Sequence, residues 1–233
     1  MKTFIITLKG NKTSERAAKI CIDSSKDLGN TFQIQYFQAV DKERAEEELK
    51  KLDNEWTYPR RGSKLDEKTG LHLSAYRTAD IRKRIGCALS HYKLWQMCHD
   101  WNNPILVLEH DARFVRRLDL ENVVEESEGF DILGINNPLK ATRKASLFHD
   151  IVTKNPAKYQ DIPWVDEEQV PQGLAGNSAY IMKPEGAEQM LSLVDEHGFW
   201  PNDALMCKQL VARLGVTKTF YTHVQTLRST TTE

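Results

Sequence analysis

The stretch PILVLEHDARF, Pro104 to Phe114, sets three ionisable residues, Glu109, His110 and Asp111, directly against the apolar run Ile105 to Leu108. A run of that composition makes a buried strand. Charged side chains at its lip are costly unless water, a metal or a ligand meets them. On an extended chain residues i and i+2 share a side, so Glu109 and Asp111 converge and His110 is turned away. Two carboxylates at one point suit a hard divalent cation, Mg²⁺ or Mn²⁺. The carboxyl end of a parallel strand is also where α/β sheets bind ligands. The spacing alone is equally that of a solvated turn.

Other residues with chemical capacity are scattered. His91 lies on an apolar helical pattern, where a histidine is usually a hydrogen-bonded core residue. His223 is a candidate third cation ligand or a surface histidine at a strand end. Gly176 and Asn177 precede a strand, as a turn or as a close backbone approach to a ligand. Trp164 and Trp200 are either stacking platforms or buried aromatics. No H-E-x-x-H or other multi-histidine spacing is present, which argues against a metal-dependent hydrolase built on Glu109, His110 and Asp111 with His91 or His223.

These residues need elements to hold them. Phe4 to Leu8 reads as an opening strand. Ser14 to Leu28 carries one apolar helical face and Gly29 stops it. Phe32 to Val40 alternates as a strand does, so the chain opens strand, helix, strand, the start of a parallel sheet. Asp41 to Asp53 is a solvated helix. Trp56 to Arg84 is a long, mobile basic loop, either plain surface or a lid over a phosphate-bearing ligand. Ile85 to Asp100 is the strongest helix, with Ile85, Ala88, Leu89, Tyr92, Trp95 and His99 at helical spacing. Strands follow at Ile105 to Leu108, Phe130 to Ile135 and Ser178 to Met182. Residues 138–172 show no clear period. Helices are expected from Pro184, with Gly198 beyond its end, and over Asp203 to Leu214, ended by Gly215. Val216 to Tyr221 is the last strand.

The chain has 233 residues, 40% hydrophobic and 28% charged, with a net charge of −1. That is enough to build the core of a single α/β domain over residues 1–233. The balance provides no global field for nucleic acid or an anionic membrane, and no RNP or helix-turn-helix pattern accompanies the basic loop. No apolar stretch reaches membrane-spanning length, and the N-terminus lacks a secretory pattern, so a cytoplasmic location is expected. The four cysteines, Cys21, Cys87, Cys98 and Cys207, form no C-x-x-C pair. They read as reduced, buried small hydrophobes rather than a zinc site.

Ordered blocks carry a family resemblance. IGCALSHYKLWQMC followed by PILVLEHDARF resembles the core of glycosyltransferase family 25, the lipooligosaccharide and collagen galactosyltransferase relatives. That family has a G-C-x-x-S-H helix, a following Trp and a strand ending in E-D-D-A or similar. Gly86, Cys87, Ser90, His91, Trp95, Glu109, Asp111 and Ala112 match. Thr7-Leu8 with Arg16, Ala39-Val40-Asp41, GNSAYIMKPEGAEQML from Gly176, WPNDALMC and HVQTLRST from His223 resemble further blocks in the family's order. His110 replaces a central Asp. Arg84 stands where an acidic residue is common, Asn202 where an apolar one is, and Thr7 where Asn is.

The resemblance implies a GT-A-like α/β fold with a mainly parallel sheet and flanking helices. It implies transfer of a hexose, galactose or glucose, from a UDP-sugar to a glycan or other hydroxyl acceptor, with inversion, as in lipopolysaccharide biosynthesis. Glu109 and Asp111 would hold Mn²⁺ or Mg²⁺ as a D-x-D motif does. Thr7, Leu8, Arg16, Asp41, His91, Glu109, His110, Gly176 and Asn177 would meet the donor, and residues 138–172 the acceptor. Asp203, the acid of the family's P-x-D, would be the catalytic base, or else a helix N-cap. A sugar-nucleotide or glycan binder that has lost turnover is the alternative, with His110 as the symptom.

Overall fold

Phe4, Ile5 and Ile6 are apolar on successive residues, and all of them are buried in the computed structural model, which describes residues 1–139 and 144–226. In chain order the elements are β1 (Lys2–Thr7), α1 (Lys12–Asp27), β2 (Ile34–Gln38), α2 (Ala45–Lys51), β3 (Ser63–Asp66), β4 (Leu71–Ser74) and α3 (Ile81–Trp101). Then come β5 (Ile105–Glu109), β6 (Ala112–Phe114), α4 (Leu120–Glu126), β7 (Ile132–Gly134), α5 (Ala145–Lys154) and β8 (Tyr159–Asp161). The chain closes with β9 (Ala179–Met182), α6 (Pro184–His197), α7 (Asn202–Leu205), β10 (Leu214–Thr217) and β11 (Thr222–Val224).

The central sheet has seven strands in the order β2-β1-β5-β9-β7-β10-β8. β1 pairs parallel with both β2 and β5; β9 runs against β5 and β7; β10 is parallel to β7, and β8 antiparallel to β10. All strands but β9 and β8 therefore point the same way. This is the expected α/β class with a mainly parallel sheet and flanking helices. The period of two divides each strand between two cores. Ile105 and Val107 join Phe4, Ile6 and the apolar face of α3 on one side. Leu106 and Leu108 join Ile5 and Ala18 and Cys21 of α1 on the other. Glu109 follows the parity of Ile105 and Val107 and so falls on the α3 side.

Local chemistry explains how α3 is seated. A Cβ on Gly86 would lie 2.4 Å from the Val40 carbonyl oxygen, so only glycine allows the helix so close to the end of β2. One turn on, Ser90 Oγ accepts from the Val40 N–H at 2.9 Å and donates to the Gly86 carbonyl at 2.6 Å. The G-C-x-x-S-H pattern thus docks α3 against β2 and turns Cys87 and His91 inward.

Several expectations are corrected. Residues 56–84 are not an unstructured basic loop: they hold the β3–β4 hairpin and the first turn of α3, capped by Asp80, and they bury Tyr58, Leu71 and Leu73. The irregular 138–172 stretch contains α5 and β8. The helix expected over Asp203 to Leu214 is only the short α7. The Cys207 N–H turns back to Leu205 O and the Lys208 N–H goes to Gln172 O, so neither donor is left to a continuing helix. Gly215 ends no helix. It lies inside β10, where a Cβ would meet the Phe130 ring at 2.4 Å. Of the strand expected over Val216 to Tyr221, only Val216 and Thr217 are extended, at the end of β10; residues 218–221 lead to β11, which begins at Thr222. All four cysteines are free, with Cys87 only half-buried. Ser229 and Thr230, part of the closing sequence block, lie outside the described residues.

Candidate active site

The C-terminal ends of β1, β2 and β5 open into a cleft of about 580 Å³, bounded by the start of α1 and the inner face of α3. Ile6, Leu8, Ala39 and Val40 give it an apolar floor, and Lys9, Lys42 and Lys83 stand around it. Of the expected donor residues, Leu8, Asp41, His91, Glu109 and His110 line this cleft. Asp41 accepts from the Arg44 backbone N–H at 3.0 Å and from Arg44 Nε at 3.1 Å. Thr7, Arg16, Gly176 and Asn177 are not in the wall. Thr7 is buried, donates to the Ile5 carbonyl, and its own carbonyl accepts from the Ala39 N–H; Arg16 is exposed on α1.

The triplet at the lip is not extended throughout. β5 ends at Glu109, and His110 and Asp111 form a turn before β6. At this turn Glu109 and His110 line the cleft and Asp111 does not, which corrects the expectation that Glu109 and Asp111 share the open side with His110 turned away. Burial, and then the Glu109 charge, push the Asp111 carboxyl up to about 7, against a hydrogen bond from Ser178. Asp111 Oδ1 is buried without a partner, as are both amide atoms of Asn177. Gly176 adopts φ 76°, the left-handed turn that favours glycine. It brings Asn177 and Ser178 beside the triplet, where Ser178 O accepts from the Glu109 N–H at 2.8 Å.

Glu109 is held from α3 by a polar chain. Trp95 Nε1 donates to the Tyr180 hydroxyl at 2.9 Å, and that hydroxyl lies 2.8 Å from His91 Nδ1. The phenol proton, kept on by burial, goes to Nδ1. The hydrogen of His91 is then on Nε2, which points at Glu109 Oε1 at 3.2 Å. Burial pushes Glu109 up, but the His91 hydrogen bond and the neighbouring positive charges outweigh it and keep the carboxyl below its ordinary value. Among the described residues, the ligand atoms of Cys87, His91 and Glu109 lie within 4.8 Å of one another. That set does not suit a soft metal: both His91 nitrogens are engaged, and burial raises the Cys87 thiol well above its usual range. Asp111 is not in that cluster, but its buried carboxylate oxygen without a protein partner, in the turn after Glu109, is the hard donor type that Mn²⁺ or Mg²⁺ takes.

A further carboxylate, Asp203, acts with Glu109 on Cys87 of α3 but does not line the cleft. Asp203 is not the N-cap of α7; that position is Pro201, which has no side-chain cap. Instead the Tyr76 hydroxyl donates to Asp203 Oδ2 at 3.2 Å. Burial raises Asp203, Arg84 lowers it and Glu109 raises it, for a net upward shift. Arg84, Cys87 and His91 recur at helical spacing on α3, with Cys87 Sγ 3.7 Å from Asn202 Oδ1. His223 lies on β11 opposite Arg113. Trp200 is buried and donates to Thr57 Oγ1, which assigns it to packing, whereas Trp164 is exposed.

The sequence reading missed Tyr76 and Tyr180. A tyrosine inside the apolar run Ala179–Met182 was itself a signal, since a buried hydroxyl needs a partner. Nothing local marks Tyr76.

A family model described as glycosyltransferase family 25 (LPS biosynthesis protein) matches residues 1–206. The chain belongs to glycosyltransferase family 25. The match contains the triplet, the G-C-x-x-S-H helix and Asp203. Among solved structures, the family 25 chain is similar to apo mouse xyloside xylosyltransferase 1, at 10% identity and a TM-score of 0.44, over 89% of this chain and 78% of that one. It is also similar to an active-site mutant of LgtC, at 8% identity and a TM-score of 0.42, over 93% and 72% of the two chains. No curated protein sequence matches this family 25 chain. Among its described residues, no helix is long and apolar enough to cross a membrane.

Proposed function

We propose that this family 25 chain transfers galactose or glucose from a UDP-sugar to a hydroxyl of a glycan or another acceptor, with inversion at the anomeric carbon. One observation carries the reading. Next to the cleft wall at Glu109 and His110, Asp111 Oδ1 and the Asn177 amide are buried with no partner in the protein, and the Glu109 carboxylate acts on Asp111. Such groups are costly unless a ligand completes them.

The apolar floor at Ile6, Leu8 and Val40 takes the flat base of the nucleotide, and Asp41 accepts from ribose hydroxyls. Lys9, Lys42 and Lys83 set positive charge against the diphosphate. Glu109 and Asp111 would hold Mn²⁺ or Mg²⁺, which when bound would supply Lewis-acid neutralisation of the leaving diphosphate. His91 keeps Glu109 in place through Nε2–H. Gly176 and Asn177 approach the sugar. Asp203 takes the proton from the attacking hydroxyl on the far face of the sugar, a contribution of ~10²–10⁴ in rate. The family description makes a lipopolysaccharide glycan the first acceptor to try.

The test is thermal unfolding against a panel of nucleotide sugars, each with Mn²⁺ and with chelator, because a ligand of the folded state raises stability by mass action. UDP-galactose or UDP-glucose should protect, and more so with Mn²⁺. Protection by none of the UDP-sugars would overturn the reading.

A further inference from the structure

The Tyr76 hydroxyl reaches Asp203 from 127 residues away in sequence. Tyr76 lies in the connection between β4 and α3, where no ladder or helix holds the backbone. Its ring is fixed from both sides instead. The Arg84 guanidinium lies over one face, 4.9 Å from the centroid. Tyr58 meets the ring edge-on at 5.7 Å and 63°. Tyr58 in turn packs on buried Trp200 at 5.6 Å and donates to the Ser74 carbonyl at 3.1 Å. Arg84 is tied down through Nη2 to the Arg77 carbonyl at 3.2 Å. The phenol is therefore aimed by a wedge of aromatic rings and a cation, and it is aimed at one oxygen of one carboxylate.

We propose that Tyr76, wedged between Arg84 and Tyr58, is a positioning residue that orients the Asp203 carboxylate toward the acceptor hydroxyl. The inference rests on Asp203 being the base. By occupying Oδ2, the phenol leaves Oδ1 to receive the proton. A hydrogen bond to the ionised form also keeps the base ionised. The groups facing Asp203 are Arg84 and Cys87 from α3, Glu109 from β5, and Tyr76 and Tyr58 from the hairpin region. Arg84 and Tyr76 favour the carboxylate; burial and the Glu109 charge oppose it.

The experiment follows UDP release from UDP-galactose with Mn²⁺ and water as acceptor, across pH, for the parent, Asp203→Asn, Tyr76→Phe and Arg84→Lys. Tyr76→Phe keeps the ring, and unfolding midpoints and UDP protection report on folding. The expected result is a fall in kcat of roughly 10- to 100-fold, the value of a lost hydrogen bond to a charged group. Donor KM should be unchanged, and the acid limb of the profile should move to higher pH because the carboxylate has lost a donor. Arg84→Lys, which keeps a cation but loses the flat cover on the ring, should show the same signature in smaller measure. If Asp203→Asn loses turnover while Tyr76→Phe keeps both its kcat and its acid limb, the positioning role is overturned and the base stands. If Tyr76→Phe raises donor KM with kcat intact, Tyr76 is a donor contact and the inference is likewise overturned. Near-normal turnover in Asp203→Asn, or no release by the parent, overturns the reading on which it rests.

Discussion

His91 Nε2 and Glu109 Oε1 face each other at 3.2 Å, one on a helix and one at the end of a strand, with the imidazole wholly buried. The Tyr180 hydroxyl and Trp95 indole behind the imidazole fix which nitrogen carries the hydrogen. Tyr180→Phe should leave the Trp95 N–H and His91 Nδ1 without partners in a dry core. Each unmet buried group costs about 1–3 kcal/mol. The expected outcome is a lower urea midpoint with an unchanged slope, read by fluorescence. An unchanged midpoint would show that water replaces the phenol.

Asp111 makes stability depend on pH with a definite sign. Its folded carboxyl is pushed up to about 7 by burial first and by Glu109 second. The unfolded chain gives up that proton at about pH 4. The native state therefore binds more protons across the window between, so the stability due to this group is complete below about pH 4 and is lost as pH rises through about 7. In metal-free buffer the parent should lose stability over this range, and Asp111→Asn should lose less. Thermal unfolding from acid to neutral pH measures both slopes; parallel slopes would contradict the burial assigned to Asp111.

His110 occupies the cleft wall beside Glu109. His110→Asp adds a third acid there, and like charges in one buried site repel. The metal-free variant should unfold at a lower temperature than the parent near neutrality, and Mn²⁺ should raise its midpoint by more than it raises the parent's. Equal shifts in the two proteins would place residue 110 outside the reach of the cation.

Gly86→Ala tests how α3 is docked. The new methyl would lie 2.4 Å from backbone at Val40, which has no flexible end to yield. Overpacking of this kind costs about 1–3 kcal/mol. Because β2 ends at the cleft, UDP binding should weaken along with stability. Calorimetric unfolding and UDP titration on the same preparation check both; a loss of stability with full UDP affinity would separate the docking from the site.

Much of the fold is legible in the sequence because burial is written in its periods. β1, β5 and β9 are short apolar runs, and α1 and α6 each show one apolar stripe with glycine at or near the end. α5 is hidden because only Ala145, Phe148 and Val152 anchor it, amid polar neighbours. The apolar spacing from Leu205 to Leu214 suggests a longer α7, but that stretch forms turns whose backbone donors bond elsewhere. At the site, Gly86, Ser90, His91 and Glu109 are readable, since their neighbours in sequence are their neighbours in function. The turn at His110 and Asp111 is not, because a triplet of polar residues does not state whether it is extended. Tyr76 is invisible for a different reason: its partner is set by how the segment between β4 and α3 meets α7, far away in sequence.

In the proposed function, Glu109 and Asp111 serve a metal-linked UDP-sugar site. Calorimetric titration of UDP into the parent and into Asp111→Asn, each with Mn²⁺ and with chelator, tests it most directly. The expected result is tight binding to the parent only with Mn²⁺, and weak, metal-independent binding to a folded Asp111→Asn. Equal UDP affinity in all four titrations would contradict it.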